Sequence, residues 1–266
     1  MVSSRDISVL QPRAVDMIRV GRDNDGGYVI PAAFLNDARM LISLGVSDDW
    51  SFEIDFTNRT AQRCAVVLCD RSAGTWTSFI NAIRTLQHLG SLRWKSPVTS
   101  WRWLKNGVRF LVQVRRRGWR FYRRWVVATS SQSHREVGLQ LLLQRHLIES
   151  ATVLKIDIEG AEYGILEDLC RWSQASPRPI GLIVEFHGLH TRFDEVEKLV
   201  NKLGAWYEVV HLHGNNYGAV SDGVPDVVEV VFALAPVQGS LKRTSLPLAG
   251  FDQPNNPLVS EIQFRW

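Results

Sequence analysis

Between Asp70 and Glu136 there is not one aspartate or glutamate, although 14 of the chain's 31 lysines and arginines fall there. The net charge of +4 therefore describes no part of the molecule well, because the remainder holds 17 basic against 27 acidic residues. An acidic body carries one strongly basic segment. Long apolar runs are also missing: no stretch of about 18 apolar residues is free of charge, which excludes a spanning helix. The start, MVSSRDISVLQPRAVDM, lacks a basic segment followed by an apolar core, so no signal peptide is expected. Cysteines are scarce. Cys64, Cys69 and Cys170 are odd in number and lack metal-ligand spacing, as expected of reduced, buried cysteines in a cytoplasmic protein. No internal repeat is present.

What is there alternates. Apolar, β-branched runs are expected as strands at 40–46, 64–70, 124–129, 152–158, 180–186, 207–213 and 226–234. Between them SFINAIRTLQHL, HREVGLQLLLQRHL, AEYGILEDLCRW and RFDEVEKLVNKLG place apolar residues three and four apart and read as covering helices, the last ended by Gly204. The pattern predicts one α/β domain over residues 1–266, a doubly wound, mostly parallel, seven-stranded sheet with a basic insertion at about 91–125. The last two strands are joined by GNNYGAVSDGVP, which predicts an antiparallel last strand at or near the sheet edge.

Ligands of open α/β sheets bind outside the carboxyl ends of the strands. The first strand ends in Gly45, which allows a tight turn, followed by Ser47, Asp48 and Glu53 near a helix start. The second ends in Asp70, 25 residues after Gly45, where an acid would accept hydrogen bonds from a ribose. No G-x-G-x-x-G motif occurs, so a nucleoside without a pyrophosphate, such as S-adenosylmethionine, fits these five residues better than a dinucleotide. Taken alone, each piece is more often a plain turn or a helix cap; their order and separation favour the cofactor reading.

The later strand ends carry Asp157 and Glu159, then Glu185 and His187, then His211 and His213. A carboxylate ending a buried strand is costly unless it is paired, metal-bound or facing a ligand. Two readings stay open: a carboxylate or histidine acting as general base toward a substrate hydroxyl, or Asp157, Glu185 and His187 binding a divalent metal such as Mg²⁺. Glu159 and Glu162 are also placed where acids simply suit a helix N-terminus, which is the preferred reading for Glu162. Two loops flank the site. One holds Asp25 and Tyr28 in RDNDGGYVI, the other Asn215 and Asn216 in HGNNYG, and each suits either a plain turn or a substrate clamp.

KIDIEGAEYGIL resembles the K-x-D-x-E-G-x-E stretch of the FkbM family of S-adenosylmethionine-dependent methyltransferases, and DGGYVI, LISLGVSDDWSFE, VEFHGLH and HLHGNN extend the resemblance over most of residues 19–234. It implies a class I, Rossmann-like methyltransferase fold and methyl transfer to a hydroxyl of a sugar, glycan or small natural product. It further implies that Gly45 and Asp70 contact the cofactor while Asp157 and Glu159 lie where donor meets acceptor. LGVSDDWSFE departs from the D-x-G-x-n-x-G form common in that family. The runner-up readings are a noncatalytic anion-binding module and a metal-dependent hydrolase.

The insertion, 91–125, has 11 basic residues and five tryptophans. Trp101, Leu104, Val108 and Leu111 fall at helical spacing. Such a helix suits an anionic membrane surface, single-stranded nucleic acid, or plain packing on the domain or another subunit.

Overall fold

The computed structural model describes residues 6–73, 97–128, 134–148, 151–172, 177–221, 223–237 and 241–266. An N-terminal hairpin, Met17–Gly21 against Gly27–Pro31, leads through α1 (Ala32–Asp37) into β1 (Met40–Leu44). Then come α2 (Ser51–Arg59), β2 (Ala65–Cys69), α3 (Pro97–Arg117), β3 (Arg120–Tyr122), α4 (Leu139–His146) and β4 (Thr152–Ile156). The chain finishes its main layers with α5 (Glu162–Arg171), β5 (Gly181–His187), α6 (Leu189–Leu203), β6 (Tyr207–Gly214) and β7 (Val227–Leu234).

The seven strands form one sheet in the order β6-β7-β5-β4-β1-β2-β3. Strands β1 to β5 pair in parallel, and β7 runs antiparallel to both β5 and β6. Strand order reverses between β1 and β4, which opens a crevice above their carboxyl ends. The sheet is covered on both faces, so its central strands read as continuous apolar runs. Alternation still decides which face each residue serves. Ile42, Leu154 and Val184 pack with Leu142, Leu166 and Val196 of α4, α5 and α6. Leu41, Val153 and Ile183 pack on the other side with Phe34, Phe52, Phe56 and Phe110.

The expected antiparallel strand next to the edge is present, but three boundaries differ. The third strand is Arg120–Tyr122, not 124–129, because the chain leaving α3 turns at Gly118 (φ +67°) straight onto β2. It turns away again once Arg124 N–H bonds Tyr122 O at 2.9 Å, and Trp125–Val127 pairs instead with Glu136–Gly138 in a separate parallel pair. HREVGLQLLLQRHL is thus helical only over Leu139–His146. Helix α6 starts earlier than expected, at Leu189, with a kink at Arg192. Gly204 does follow α6, in a right-handed conformation. SFINAIRTLQHL lies outside the described residues. Among those residues no helix is long and apolar enough to cross a membrane.

Candidate active site

The crevice is built first from backbone. Gly45 (φ +78°) turns the chain off β1, and its carbonyl faces the Lys155 ammonium at 3.5 Å. Asp70, at the end of β2, ties the turn down: one carboxylate oxygen accepts from Val46 N–H at 2.7 Å and Ser47 N–H at 2.6 Å. The other accepts from Ser72 N–H, Ser72 Oγ–H and Ala73 N–H. Asp70 is therefore a clamp between two loops, its oxygens already taken up by these donors, and not the open ribose acceptor that the sequence suggested. Buried oxygens that accept several backbone N–H groups are held in place by them.

Two cavities open side by side on this frame. One, of ≈ 320 Å³, lies over the ends of β1, β2 and β4, bordered by Gly45, Asp70, Arg71, Arg124, Val126 and Ile158. The other, of ≈ 450 Å³, lies over β4 and β5 and is closed by the hairpin and the loop after β6, with Tyr28, Lys155, Glu185, His187 and Asn215 in its wall. Ser47, Asp157 and Glu159 border both.

The wall of the larger cavity is bonded into a network. Tyr28 Oη lies 3.3 Å from Asp157 Oδ2 and 3.5 Å from Glu185 Oε2, and Asn215 Nδ2 donates to Glu185 Oε1 at 2.9 Å. Lys155 Nζ stands 3.4 Å from Asp157 Oδ2 and 4.9 Å from the centre of the Tyr28 ring. Burial alone would lower the Lys155 pKa, but Asp157, Glu53 and Glu185 outweigh it and keep the ammonium charged. Burial, with Asp157 and Glu229 nearby, pushes Glu185 up to about 8. Burial would likewise lower His187, yet the hydrogen bond to Glu162 and the surrounding carboxylates raise it to about 9. At neutral pH His187 is thus a cation and a hydrogen-bond donor.

Glu162 sets that histidine. Completely buried in the first turn of α5, it accepts from His187 N–H at 2.8 Å and lies 3.3 Å from His187 Nδ1, while its second oxygen accepts Gly160 N–H at 2.7 Å. Its helix-terminal position is as read from the sequence; its reach across to β5 was not legible there. Lys155 was also missed, although a lysine inside TVLKI is the signal: a buried ammonium demands acids around it.

Other sequence-derived residues lie elsewhere. Glu53 is 1% exposed and accepts from Ser43 Oγ–H at 2.7 Å, outside the lining of both cavities. Asp48 and Asp25 border the larger cavity, so Asp48 is separated from Gly45 and Asp70 but not from Ser47. Asn216 turns outward from the cavity and binds the carbonyls of Asn256 and Val259. His211 and His213 belong to β6, which β7 separates from β5, so they do not join Glu185 and His187. His211 Nε2 is 2.9 Å from Asp252, and His213 lies 3.3 Å from Glu229 and 3.0 Å from Glu261. They fasten the C-terminal segment.

That fastening has a pH signature. Burial alone would lower His213, but the Glu229 charge and the bonds to Glu229 and Glu261 raise it to about 10. The folded state then holds the proton more tightly, so the stabilisation is complete below about pH 6.5, the ordinary histidine value, and fades as pH rises through about 10. His213→Gln should be clearly less stable than the wild type near pH 6, with the gap shrinking toward pH 10. Thermal melting across that range checks this, and a pH-independent gap would sink it.

Asp157, Glu185 and His187 each place a ligand atom within 4.8 Å of the others. Two oxygens and an imidazole nitrogen fit a divalent cation, and the larger cavity is bordered by six carboxylates against Lys155 and His187.

Residues 115–207 match the model of the methyltransferase FkbM domain. That stretch is similar to the FkbM methyltransferase domain. The matched stretch runs from the end of α3 to the start of β6, and so contains Lys155, Asp157, Glu162, Glu185 and His187. Gly45, Asp70, Tyr28 and Asn215 lie outside it. No curated protein matches the chain. Among solved structures, it is similar to a fibrillarin pre-rRNA processing protein of Methanococcus jannaschii (11% identity, 75% of this chain and 68% of that one, TM-score 0.36). An O-methyltransferase of Bacillus cereus is similar at 10% identity, 76% of each chain and TM-score 0.33. An arsenic(III) S-adenosylmethionine methyltransferase of Chlamydomonas reinhardtii gives 10%, 83%, 69% and 0.37 for the same quantities.

Proposed function

We propose that this S-adenosylmethionine-dependent methyltransferase methylates a hydroxyl of a sugar, glycan or small natural product. The observation that carries this reading is that two cavities meet at Asp157, the smaller suited to the methyl donor and the larger to the acceptor. S-adenosylmethionine supplies an electrophilic methyl group on a sulfonium. The donor cavity fits it: Gly45 gives close backbone approach, Val126 and Ile158 offer apolar walls, and Ser47 and Ser72 offer hydroxyls.

The acceptor cavity suits a polyhydroxylated molecule, since Tyr28, Asn215, His187, Lys155 and the carboxylates can each donate or accept. It does not suit an anion. Asp157 faces both cavities and is the group that takes the acceptor hydroxyl's proton as that oxygen attacks the methyl carbon; the new C–O bond forms as the C–S bond breaks. The Lys155 ammonium, 3.4 Å from Asp157 Oδ2, holds that carboxylate in position. His187, protonated and held by Glu162, donates to an acceptor oxygen and does not serve as the base. Much of the rate comes from positioning, because donor and acceptor must lie in line. A divalent cation held by Asp157, Glu185 and His187 would displace the His187 proton, take over that contact with the acceptor oxygen, and make the hydroxyl more acidic.

The donor cavity is testable by filling it. Ala161 borders it and is exposed, so Ala161→Trp should fold while obstructing the nucleoside. Calorimetric titration should show S-adenosylmethionine affinity falling by roughly a hundredfold or more, about the worth of two buried CH₂-scale clashes or one ring. Unchanged affinity would place the donor elsewhere.

A further inference from the structure

Helix α3 has two unlike faces. Inward, Phe110 is 1% exposed and packs edge-on against Trp50 and Phe121, with ring centres 5.2 Å and 4.9 Å away. Arg117 donates to Thr57 Oγ1 and Asn58 Oδ1 of α2, and Asn106 Nδ2 donates to the Asp48 carbonyl. The helix is therefore a fixed rib of the domain. Outward, Val108, Leu111 and Val112 are 56%, 42% and 40% exposed at positions i, i+3 and i+4. Around this stripe stand Lys105, Arg109, Arg115 and Arg116, all exposed, and none pairs with a carboxylate among the described residues.

A solvated helix face carries mixed charge and few aliphatics. This one carries a single sign and an aliphatic stripe, which is the composition of a helix lying in a membrane interface. We propose that the outward face of α3 docks the protein on an anionic lipid bilayer, making it a peripheral membrane protein. The lysine and arginines would meet lipid phosphates while Val108, Leu111 and Val112 enter the acyl boundary. Single-stranded nucleic acid fits less well, because binding it relies on outward aromatic platforms. Among the described side chains of this segment Phe110 and Trp119 are buried, and the outward apolar groups of the helix, Val108, Leu111 and Val112, cannot stack. A second copy of the same face is disfavoured by like-charge repulsion.

Docking also orients the site. Asn106 is bonded to Asp48, and Asp48 borders the acceptor cavity, so the rim of that cavity lies next to the docking helix. If the methyltransferase reading holds, the acceptor is a hydroxylated molecule carried at the lipid surface; the docking itself does not depend on that reading.

The test is flotation of the full chain with vesicles of phosphatidylcholine alone or mixed with phosphatidylglycerol. Wild type should float with the anionic vesicles only, and less as salt rises. The Val108→Ser, Leu111→Ser, Val112→Ser triple variant and the Lys105→Glu, Arg109→Glu, Arg116→Glu triple variant should each lose roughly tenfold or more of that partitioning, since one interfacial charge alone is worth about 1 kcal/mol. S-adenosylmethionine titration of the same variants reports separately on donor binding and on folding. No flotation with anionic vesicles, equal flotation with neutral ones, or an intact response in the serine variant would overturn the proposal. So would tighter capture of a single-stranded oligonucleotide that the serine substitutions leave unchanged.

Discussion

Asp157→Asn should lower methyl-transfer turnover by roughly 10²–10⁴-fold while leaving S-adenosylmethionine affinity within a few-fold of wild type. The amide keeps the size of the side chain and its hydrogen bond to Tyr28, but it cannot take a proton. The loss should fall on kcat rather than KM, because the acceptor still has Glu185, Asn215 and His187 to bind. Asp157 sits 3.4 Å from Lys155 and borders both cavities, so the substitution also leaves Lys155 with only Glu53 and Glu185 as nearby acids. Circular dichroism and donor titration separate that structural effect from the chemical one. Turnover equal to wild type would remove Asp157 from the reaction and leave Glu159 as the other carboxylate that borders both cavities.

The second large effect is on folding. A Cβ on Gly45 would lie 1.5 Å from the Asp157 carbonyl oxygen and 2.6 Å from its carbonyl carbon, both backbone atoms. Gly45 also adopts φ +78°, where side chains other than glycine are strained. Neither β1 nor β4 can shift without moving the centre of the sheet, since Asp157 N–H bonds Leu44 O at 2.9 Å. Gly45→Ala should therefore destabilise the protein by about 4 kcal/mol or more, at the extreme of single substitutions. Denaturant unfolding measures this directly. A variant with wild-type stability and donor affinity would show that the turn tolerates a rearrangement the packing forbids.

These two residues also mark what was readable beforehand. Gly45 and Asp157 stand at the ends of strands whose apolar runs are long and covered on both faces, so both the strands and their terminal residues were legible. Strand β3 was not. Arg120–Tyr122 is short, lies at the sheet edge and sits in a basic segment, whereas the more apolar Trp125–Val127 looks like a better strand and pairs outside the main sheet. Asp70 was correctly placed after β2, but its five backbone and hydroxyl donors come from two loops, and no local pattern reveals such a convergence. His213 ends a strand as Glu185 and His187 do, and nothing in the sequence showed that its strand is not a neighbour of theirs. Insertion of β7 between β5 and β6 depends on pairing across the sheet, which local periodicity does not encode.

The acceptor cavity also has a history within each molecule. Its Tyr28 wall hangs on a hairpin whose Asn24 donates to the Gln253 side chain and the Pro254 carbonyl, 229 and 230 residues further along. A nascent chain paused after β5 would already possess Gly45, Asp70 and Asp157, and hence the side proposed to receive the nucleoside. It would have no acceptor chamber. The two halves of the site thus mature at different moments of synthesis, and a protein shortened before residue 253 should resemble a donor-binding core whose second reactant has nowhere to rest.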